Sequence, residues 1–212
     1  MPPKNPPRIP GPSYTTFFAK PKTDDLSGHL HRQTVGALGL GLPFFLLFIN
    51  YFRPTPGMER LWPWDSISAY FYSGGGPVFT GVLFALSVFM LTYRGYRNLN
   101  QKWDLRLGKW AAVAAFCVAF FPTTPPKTGT GEILPSPPWV CCPNFTGFIH
   151  LVAAFALFLS LIAYSFVVFR SPIKPLSLLK FPQNGRDRVF YFAGILMVFF
   201  VLLAFIDRKS VV

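Results

Sequence analysis

The sequence predicts an all-α, polytopic membrane protein with about five membrane-spanning helices. Apolar residues make up 51% of the chain and charged residues only 13%, whereas soluble domains carry about 25% charged residues. So few charges cannot cover a water-facing surface. The charged residues also fall in six separate segments divided by long uncharged apolar runs. The length of 212 residues suits a single domain.

Five apolar runs are the predicted spans. A membrane helix needs about 17–25 residues to cross roughly 30 Å of hydrocarbon, and four runs meet that length. The third run is short, and it crosses only if Lys109 extends to the interface, if its helix continues back through Leu105 and Leu107, or if the bilayer thins. The runs are apolar on all sides, which argues against a soluble bundle, because most helices of such a bundle need a polar face. The runs are Thr34–Phe52, Pro77–Tyr93, Trp110–Phe121, Gly147–Phe169 and Val189–Ile206.

Basic residues alternate along the chain in a way that predicts the orientation of these spans. The six charged segments hold 5, 2, 5, 1, 5 and 2 Lys and Arg residues in chain order. Cytoplasmic loops of membrane proteins are enriched in Lys and Arg, so the N-terminus is expected inside and the C-terminus outside. The net charge of +12 is then explained by orientation and by attraction to anionic lipids rather than by nucleic-acid binding. The segments are residues 1–33, 53–76, 94–109, 123–146, 170–188 and 207–212.

This organisation divides the chain into a Pro-rich cytoplasmic tail (1–33), a five-span domain (34–206) and a short C-terminal tail (207–212). In the first outer loop, the aromatic stretch Trp62–Tyr72 predicts a short interfacial helix. Asp65 is its expected N-cap, with Ser66 and Ser68 in the first turn.

Small residues predict where helices approach one another closely. Three glycines of the first run and four alanines of the third form such faces. The residues are Gly36, Gly39, Gly41, Ala111, Ala112, Ala114 and Ala115.

No charged residue lies within the five apolar runs. Ion-coupled transporters and pumps normally place ionisable groups at membrane depth, so these classes are disfavoured.

The three histidines cannot share one site in a single chain, because His29 and His31 precede the first span and His150 lies near the outer end of the fourth. A three-histidine zinc centre and a bis-histidine haem are therefore excluded. For His29 and His31 the alternatives are weak metal binding and a solvated tail. The tail is the preferred interpretation, and neither metal nor cofactor is expected.

One group of residues carries the elements of acyl transfer. Asp65, Ser66, Ser68 and His150 are all expected at the outer face near headgroup depth. A serine nucleophile, a histidine base and an orienting carboxylate are the groups that acyl transfer needs, and lipid is the natural substrate there. The two serines have a simpler alternative role as helix-start residues, and no Gly-x-Ser-x-Gly motif accompanies them.

Cys141 and Cys142 are the second candidate group. They are adjacent in a loop expected in an oxidising compartment. An adjacent pair forms a strained disulfide, which suits redox chemistry better than structural cross-linking. The alternatives are pairing with another chain and two reduced thiols.

Four segments carry a resemblance to a group of uncharacterised bacterial polytopic membrane proteins. They are SISAYFY at 66–72, VFTGVLFALSVFMLTYRGY at 78–96, VAAFCVAFFPT at 113–123 and IHLVAAFALFLSLIAY at 149–164. The resemblance covers about residues 60–190 and implies a helical fold in the bacterial inner membrane with no known activity. Members of that group have about six spans, and this chain has no sixth, which implies that the fifth helix needs a partner subunit. A non-catalytic accessory subunit of a larger membrane complex is therefore the expected function, with a lipid-active enzyme and a thiol-redox protein as alternatives.

Overall fold

A computed structural model describes residues 23–55, 66–93, 101–128, 131–168 and 185–210. The predicted all-α class is confirmed: these residues contain no β-strand, only an isolated antiparallel bridge between Lys127 and Ile133. The helices are α1 (Thr23–Phe52), a 3₁₀ helix (Ile67–Tyr72), α2 (Gly76–Thr92), α3 (Gln101–Phe120), α4 (Pro143–Ala163), a π-helical segment that continues α4 (Tyr164–Val168) and α5 (Gly185–Ser210).

The helices pack in the order of the chain. Among the described elements, α2 contacts α1 and α3, α4 contacts α3 and α5, and the 3₁₀ helix rests on α1 and α2. The core lies where α1 to α4 and the 3₁₀ helix meet, and its buried members include Leu46, Tyr70, Phe79, Val118 and Ala153. The backbone of α1 makes no contact with α4 or α5 in the described part of the chain, so the series of helices does not close into a ring at that point.

Helix α3 is longer than its apolar run. It begins at Gln101 rather than near Trp110, so it continues through Leu105 and Leu107 as the short run required. The extension also carries Asp104, whose side chain is buried with 0% exposure. Asp104 precedes the run Trp110–Phe121, so the apolar runs themselves hold no charged residue, but the burial of this carboxyl group was not predicted. The physical reason is helical spacing: Asp104 lies four residues before Gly108, on the same face as the small residues that pack against neighbouring helices.

The two predicted small-residue faces behave differently. All four alanines of α3 are buried, as expected for a helix contact. In α1, however, a Cβ atom placed on Gly36 or Gly39 would meet nothing within 4 Å, so the prediction of a glycine contact is wrong for these two positions. The core-facing side of α1 instead carries larger residues at four-residue spacing, and these are Leu42, Leu46 and Asn50.

Two helical segments are long and apolar enough to cross a membrane, residues 33–52 and 143–168, and Gly76–Thr92 is apolar but shorter. Only 17% of the most apolar window in the first and 22% in the second is buried inside the protein. The core helix of a soluble protein would be mostly buried. These two helices are compatible with a membrane location.

Some sequence predictions lie outside the described residues. They are most of the N-terminal tail (residues 1–22), the first part of the interfacial stretch (residues 62–65) and most of the loop 170–188 (residues 169–184).

Candidate functional site

The 3₁₀ helix positions Ser68. Its N-cap is Ser66, whose backbone is extended and whose Oγ accepts a hydrogen bond from the Ser68 backbone N–H at 3.2 Å. The cap is thus one residue later than the Asp65 predicted from sequence, and Asp65 itself lies outside the described residues. Since Ser66 Oγ satisfies a backbone donor at the helix start, Ser66 acts as a capping residue, which leaves Ser68 as the hydroxyl available for chemistry.

The tight turn after this helix depends on Gly76. The Ser73 hydroxyl donates to the Tyr70 carbonyl at 2.7 Å and accepts from the Gly75 N–H at 3.0 Å. A Cβ atom on Gly76 would collide with the Phe71 carbonyl oxygen. A glycine is therefore needed where α2 begins against the 3₁₀ helix, and this close approach fixes the 3₁₀ helix over the end of the bundle.

Helix α4 positions His150, whose side chain is only 3% exposed. Gly147, one turn before, allows the chain that leaves α3 to cross α4 closely, because a Cβ atom at Gly147 would lie 2.9 Å from Thr124 Oγ1. That close crossing brings the last carbonyl groups of α3 to the histidine. His150 Nδ1 lies 2.6 Å from the Phe121 carbonyl oxygen.

Ser68 and His150 form a hydrogen-bonded pair. The Nε2 atom of His150 lies 2.9 Å from Ser68 Oγ. A carbonyl oxygen can only accept a hydrogen bond, so Nδ1 carries the proton that is donated to Phe121. In the neutral ring, Nε2 is then unprotonated and accepts the Ser68 O–H. This is the arrangement in which a histidine can remove a proton from a serine nucleophile.

The end of α3 supplies the orienting group of this pair. The last carbonyls of a helix lack intrahelical partners, and Pro125 and Pro126, which follow here, have no N–H to offer. Side chains take this role instead: His150 donates to the Phe121 carbonyl, and the Tyr72 hydroxyl donates to the Thr123 carbonyl at 2.6 Å. Burial raises the pKa of Tyr72 above its usual value, against a smaller opposite effect of the Ser136 hydroxyl, so Tyr72 keeps its proton and remains a donor.

The pair is accessible from one side. Ser68 is half-buried and its neighbours Ser66 and Ile67 are exposed, whereas His150 is enclosed. A nucleophile at the surface with a shielded base behind it can react with a group that arrives from outside. In place of the carboxylate of a catalytic triad, a backbone carbonyl at the negative end of the α3 dipole holds the imidazole and would stabilise an imidazolium.

The two cysteines lie at the same end of the molecule. Cys141 and Cys142 are exposed free thiols, and Cys142 is the residue that precedes α4. They form no disulfide with each other in the structure, and pairing with another chain stays a prediction. Among the described residues, no group of three or more His, Cys, Asp or Glu side chains is arranged to hold a metal ion.

The opposite end of the bundle holds a polar cluster that the sequence interpretation missed. The Tyr93 hydroxyl donates to Asp104 Oδ2 at 3.2 Å, and the Tyr164 hydroxyl donates to the Asp104 carbonyl at 2.9 Å. His31 belongs to α1 rather than to a solvated tail, and its Nε2 donates to the Phe89 carbonyl at 2.7 Å while its ring stacks on Tyr93. One feature of the sequence could have indicated this cluster: Asp104 lies at helical spacing from the small residues of α3, which form its buried face.

Comparisons of the chain with models of protein families, with curated proteins and with solved structures find no match.

Proposed function

We propose that this protein is a multi-pass membrane protein that catalyses acyl transfer from lipid esters, with Ser68 as the nucleophile and His150 as the general base. The observation that carries the proposal is the hydrogen bond between Ser68 Oγ and His150 Nε2 at 2.9 Å, with His150 Nδ1 held by the Phe121 carbonyl.

The membrane location in this proposal rests on the large apolar side chains that are exposed on the surface of the helices. Helices α1, α4 and α5 leave many large apolar side chains exposed, with Phe44 at 65%, Phe148 at 62% and Phe200 at 58%. Monomeric soluble proteins rarely expose apolar patches of this extent. With five spans and the alternating basic segments, the Ser68–His150 end would face outward, at the depth of lipid ester groups.

The chemistry follows from the tautomer of His150. Ser68 Oγ attacks the carbonyl carbon of the ester while its proton passes to His150 Nε2, and the Phe121 carbonyl keeps the imidazolium in place. Collapse of the tetrahedral intermediate breaks the bond to the leaving alkoxide, which takes the proton back from His150. The acyl-Ser68 ester is then cleaved by water or by a second alcohol, whose proton moves to His150 in the same way.

The experiment that tests this proposal is an ester-turnover assay on the full chain in proteoliposomes. The substrate is a fluorescent phosphatidylglycerol, and the released fatty acid is measured. We expect Ser68→Ala to abolish turnover and His150→Ala to lower kcat by roughly 10²–10⁴-fold, the usual contribution of general base catalysis. Ser87→Ala is the control, because Ser87 also carries a hydrogen-bonded hydroxyl, but its partner is the Ala112 carbonyl at 2.8 Å rather than a histidine. Turnover that survives in Ser68→Ala, or its absence in the unmodified protein, would overturn the proposal.

A second candidate function is an accessory subunit of a larger membrane complex, and α5 is the observation that favours it. Among the described elements, α5 contacts only α4 and the π segment. Its exposed apolar side chains include Phe192, Leu196, Phe199 and Leu203. Native mass spectrometry after mild extraction tests this role: a complex with other subunits is expected, and a stable monodisperse monomer argues against it.

A further inference from the structure

A cavity lies at the end of the bundle opposite Ser68. Its volume is about 280 Å³, close to the lower end of the roughly 300–1,000 Å³ typical of small-molecule sites. It occupies the gap left by the serial packing, between α1 and α2 on one side and α4, the π segment and α5 on the other. The backbones of α1 and α5 do not meet in the described part of the chain, so the cavity separates them.

The walls of the cavity are apolar and one end of it is polar. Val35, Met90, Leu161 and Met197 line the apolar part. His31, Tyr93, Tyr164 and Ser165 supply the polar groups. An apolar chain that carries one polar head matches this division.

Ser165 is the polar group that most clearly points to a ligand. The residue is 5% exposed and lines the cavity, and its hydroxyl has no hydrogen-bond partner within the described residues. Ser165 belongs to the π-helical segment, a distortion of the α-helix that is frequent at functional sites.

His31 adds a complementary group. Since its Nε2 donates to the Phe89 carbonyl at 2.7 Å, the Nδ1 atom of the neutral ring is an acceptor. The side chains that line the cavity therefore include one hydroxyl that can donate and one ring with a nitrogen that can accept. An alcohol head group satisfies both, because its O–H can donate to His31 Nδ1 while its oxygen accepts from Ser165.

From this geometry we propose that the cavity binds a single-chain lipid alcohol, with the chain between α1 and α5 and the hydroxyl at His31 and Ser165. A carboxylate head is disfavoured. The lining residues among those described include neither Lys nor Arg, and the Asp104 carboxyl lies directly behind Tyr93. A carboxylate here would lose its hydration without gaining a basic partner.

Photo-crosslinking with a dodecanol that carries a diazirine on its chain tests this proposal. The full-length protein is reconstituted in nanodiscs and irradiated, and labelled peptides are identified by mass spectrometry. We expect the label on the helices that line the cavity, and we expect excess dodecanol to compete while dodecanoate at pH 8 does not. Ser165→Ala should weaken binding by about five-fold, the effect of one hydrogen bond.

Two matched pairs of variants separate the cavity from general lipid contact. Gly36→Leu places a side chain into the cavity, whereas Gly39→Leu places the same side chain on the same helix outside it, and neither glycine has a neighbour within 4 Å of an added Cβ. We expect roughly ten-fold less labelling in Gly36→Leu, because the ligand must displace the new side chain, and no change in Gly39→Leu. Ser160→Ala controls for Ser165→Ala, because Ser160 is also buried but bonds to the Ala156 carbonyl of its own helix.

Equal labelling in the two glycine variants, or equal competition by the alcohol and the carboxylate, would mean annular lipid contact only and would overturn the proposal. Loss of ester turnover in Ser68→Ala leaves this result unaffected, since the two sites lie at opposite ends of the bundle.

Discussion

The Nε2 atom of His150 in α4 accepts a hydrogen bond from the Ser68 hydroxyl of the 3₁₀ helix at 2.9 Å, although the two residues are 82 positions apart in the chain. The same ring donates to the Phe121 carbonyl at the end of α3. One buried side chain thus joins three elements. It holds this end of the bundle together, and it forms the pair that we propose as nucleophile and base.

The energy of this hydrogen bond can be measured with a double-mutant cycle. We expect Ser68→Ala and His150→Ala each to lower the free energy of unfolding, and the two effects not to add. Hydrogen bonds between membrane helices contribute about 0.6 kcal/mol on average and at most about 1.7 kcal/mol, so a coupling energy in that range is expected. Reversible unfolding in mixed micelles provides the measurement, and additive effects would show that the pair is not formed in the folded protein.

Replacement of Gly147 by alanine should displace the carbonyl that orients His150. The new Cβ atom would lie 2.9 Å from Thr124 Oγ1 and 3.0 Å from Thr124 N, and overpacking of this kind costs about 1–3 kcal/mol. Gly81→Ala is the control, because an added Cβ at Gly81 meets nothing within 4 Å and alanine favours a helix by about 1 kcal/mol over glycine. In thermal unfolding, we expect a Tm below that of the unmodified protein for Gly147→Ala and above it for Gly81→Ala.

Tyr164 ties the π segment to α3 at the other end of the bundle. Tyr164→Phe removes the hydroxyl that donates to the Asp104 carbonyl at 2.9 Å, and we expect a loss of about 1 kcal/mol of stability. Tyr51→Phe should be neutral, because the Tyr51 side chain is 70% exposed on α1. If the two variants unfold at the same denaturant concentration, the Tyr164 contact does not contribute to stability.

The proposed orientation can be tested with the native cysteines. Cys141 and Cys142 are exposed, whereas Cys117 is half-buried within α3. Because their loop is expected outside, a membrane-impermeant maleimide should label both residues in intact cells, as peptide mapping would show. Cys117→Ser should leave the labelling unchanged. Labelling that requires permeabilised cells would reverse the orientation and would place Ser68 and His150 on the inner side.

Most of the helices could be predicted from the sequence, because four of the five apolar runs are long and an uninterrupted stretch of apolar residues is the only local signal needed. The run at Pro77–Tyr93 and the helix Gly76–Thr92 differ by one residue at each end. Helix α3 was harder to predict, because its first nine residues include Lys102, Asp104, Arg106 and Lys109. These polar residues hid the helical spacing by which Asp104 joins the buried face.

The site could be predicted only in part. The residue types at Ser68 and His150 suggested acyl transfer, but their pairing depends on tertiary packing, because the 3₁₀ helix rests on α1 and α2 and reaches α4 through this hydrogen bond. The orienting group could not be foreseen, because it is the Phe121 backbone carbonyl, which any residue would supply. In the sequence, Gly36 and Gly39 resemble a helix-contact pattern. Only the tertiary structure shows that a different side of α1 meets α2, so that neither glycine lies in the contact.

The most direct test of the account is covalent labelling of Ser68 by a fluorophosphonate, which reacts with serine nucleophiles activated by a base. The full-length protein in proteoliposomes is treated with the probe, and the modified peptide is identified by mass spectrometry. The account predicts one adduct on Ser68, absent from Ser68→Ala, unchanged in Ser87→Ala, and formed at least roughly 10²-fold more slowly in His150→Gln, which lacks the base. Absence of an adduct on Ser68 in the folded protein, or labelling of His150→Gln at the unmodified rate, would contradict it.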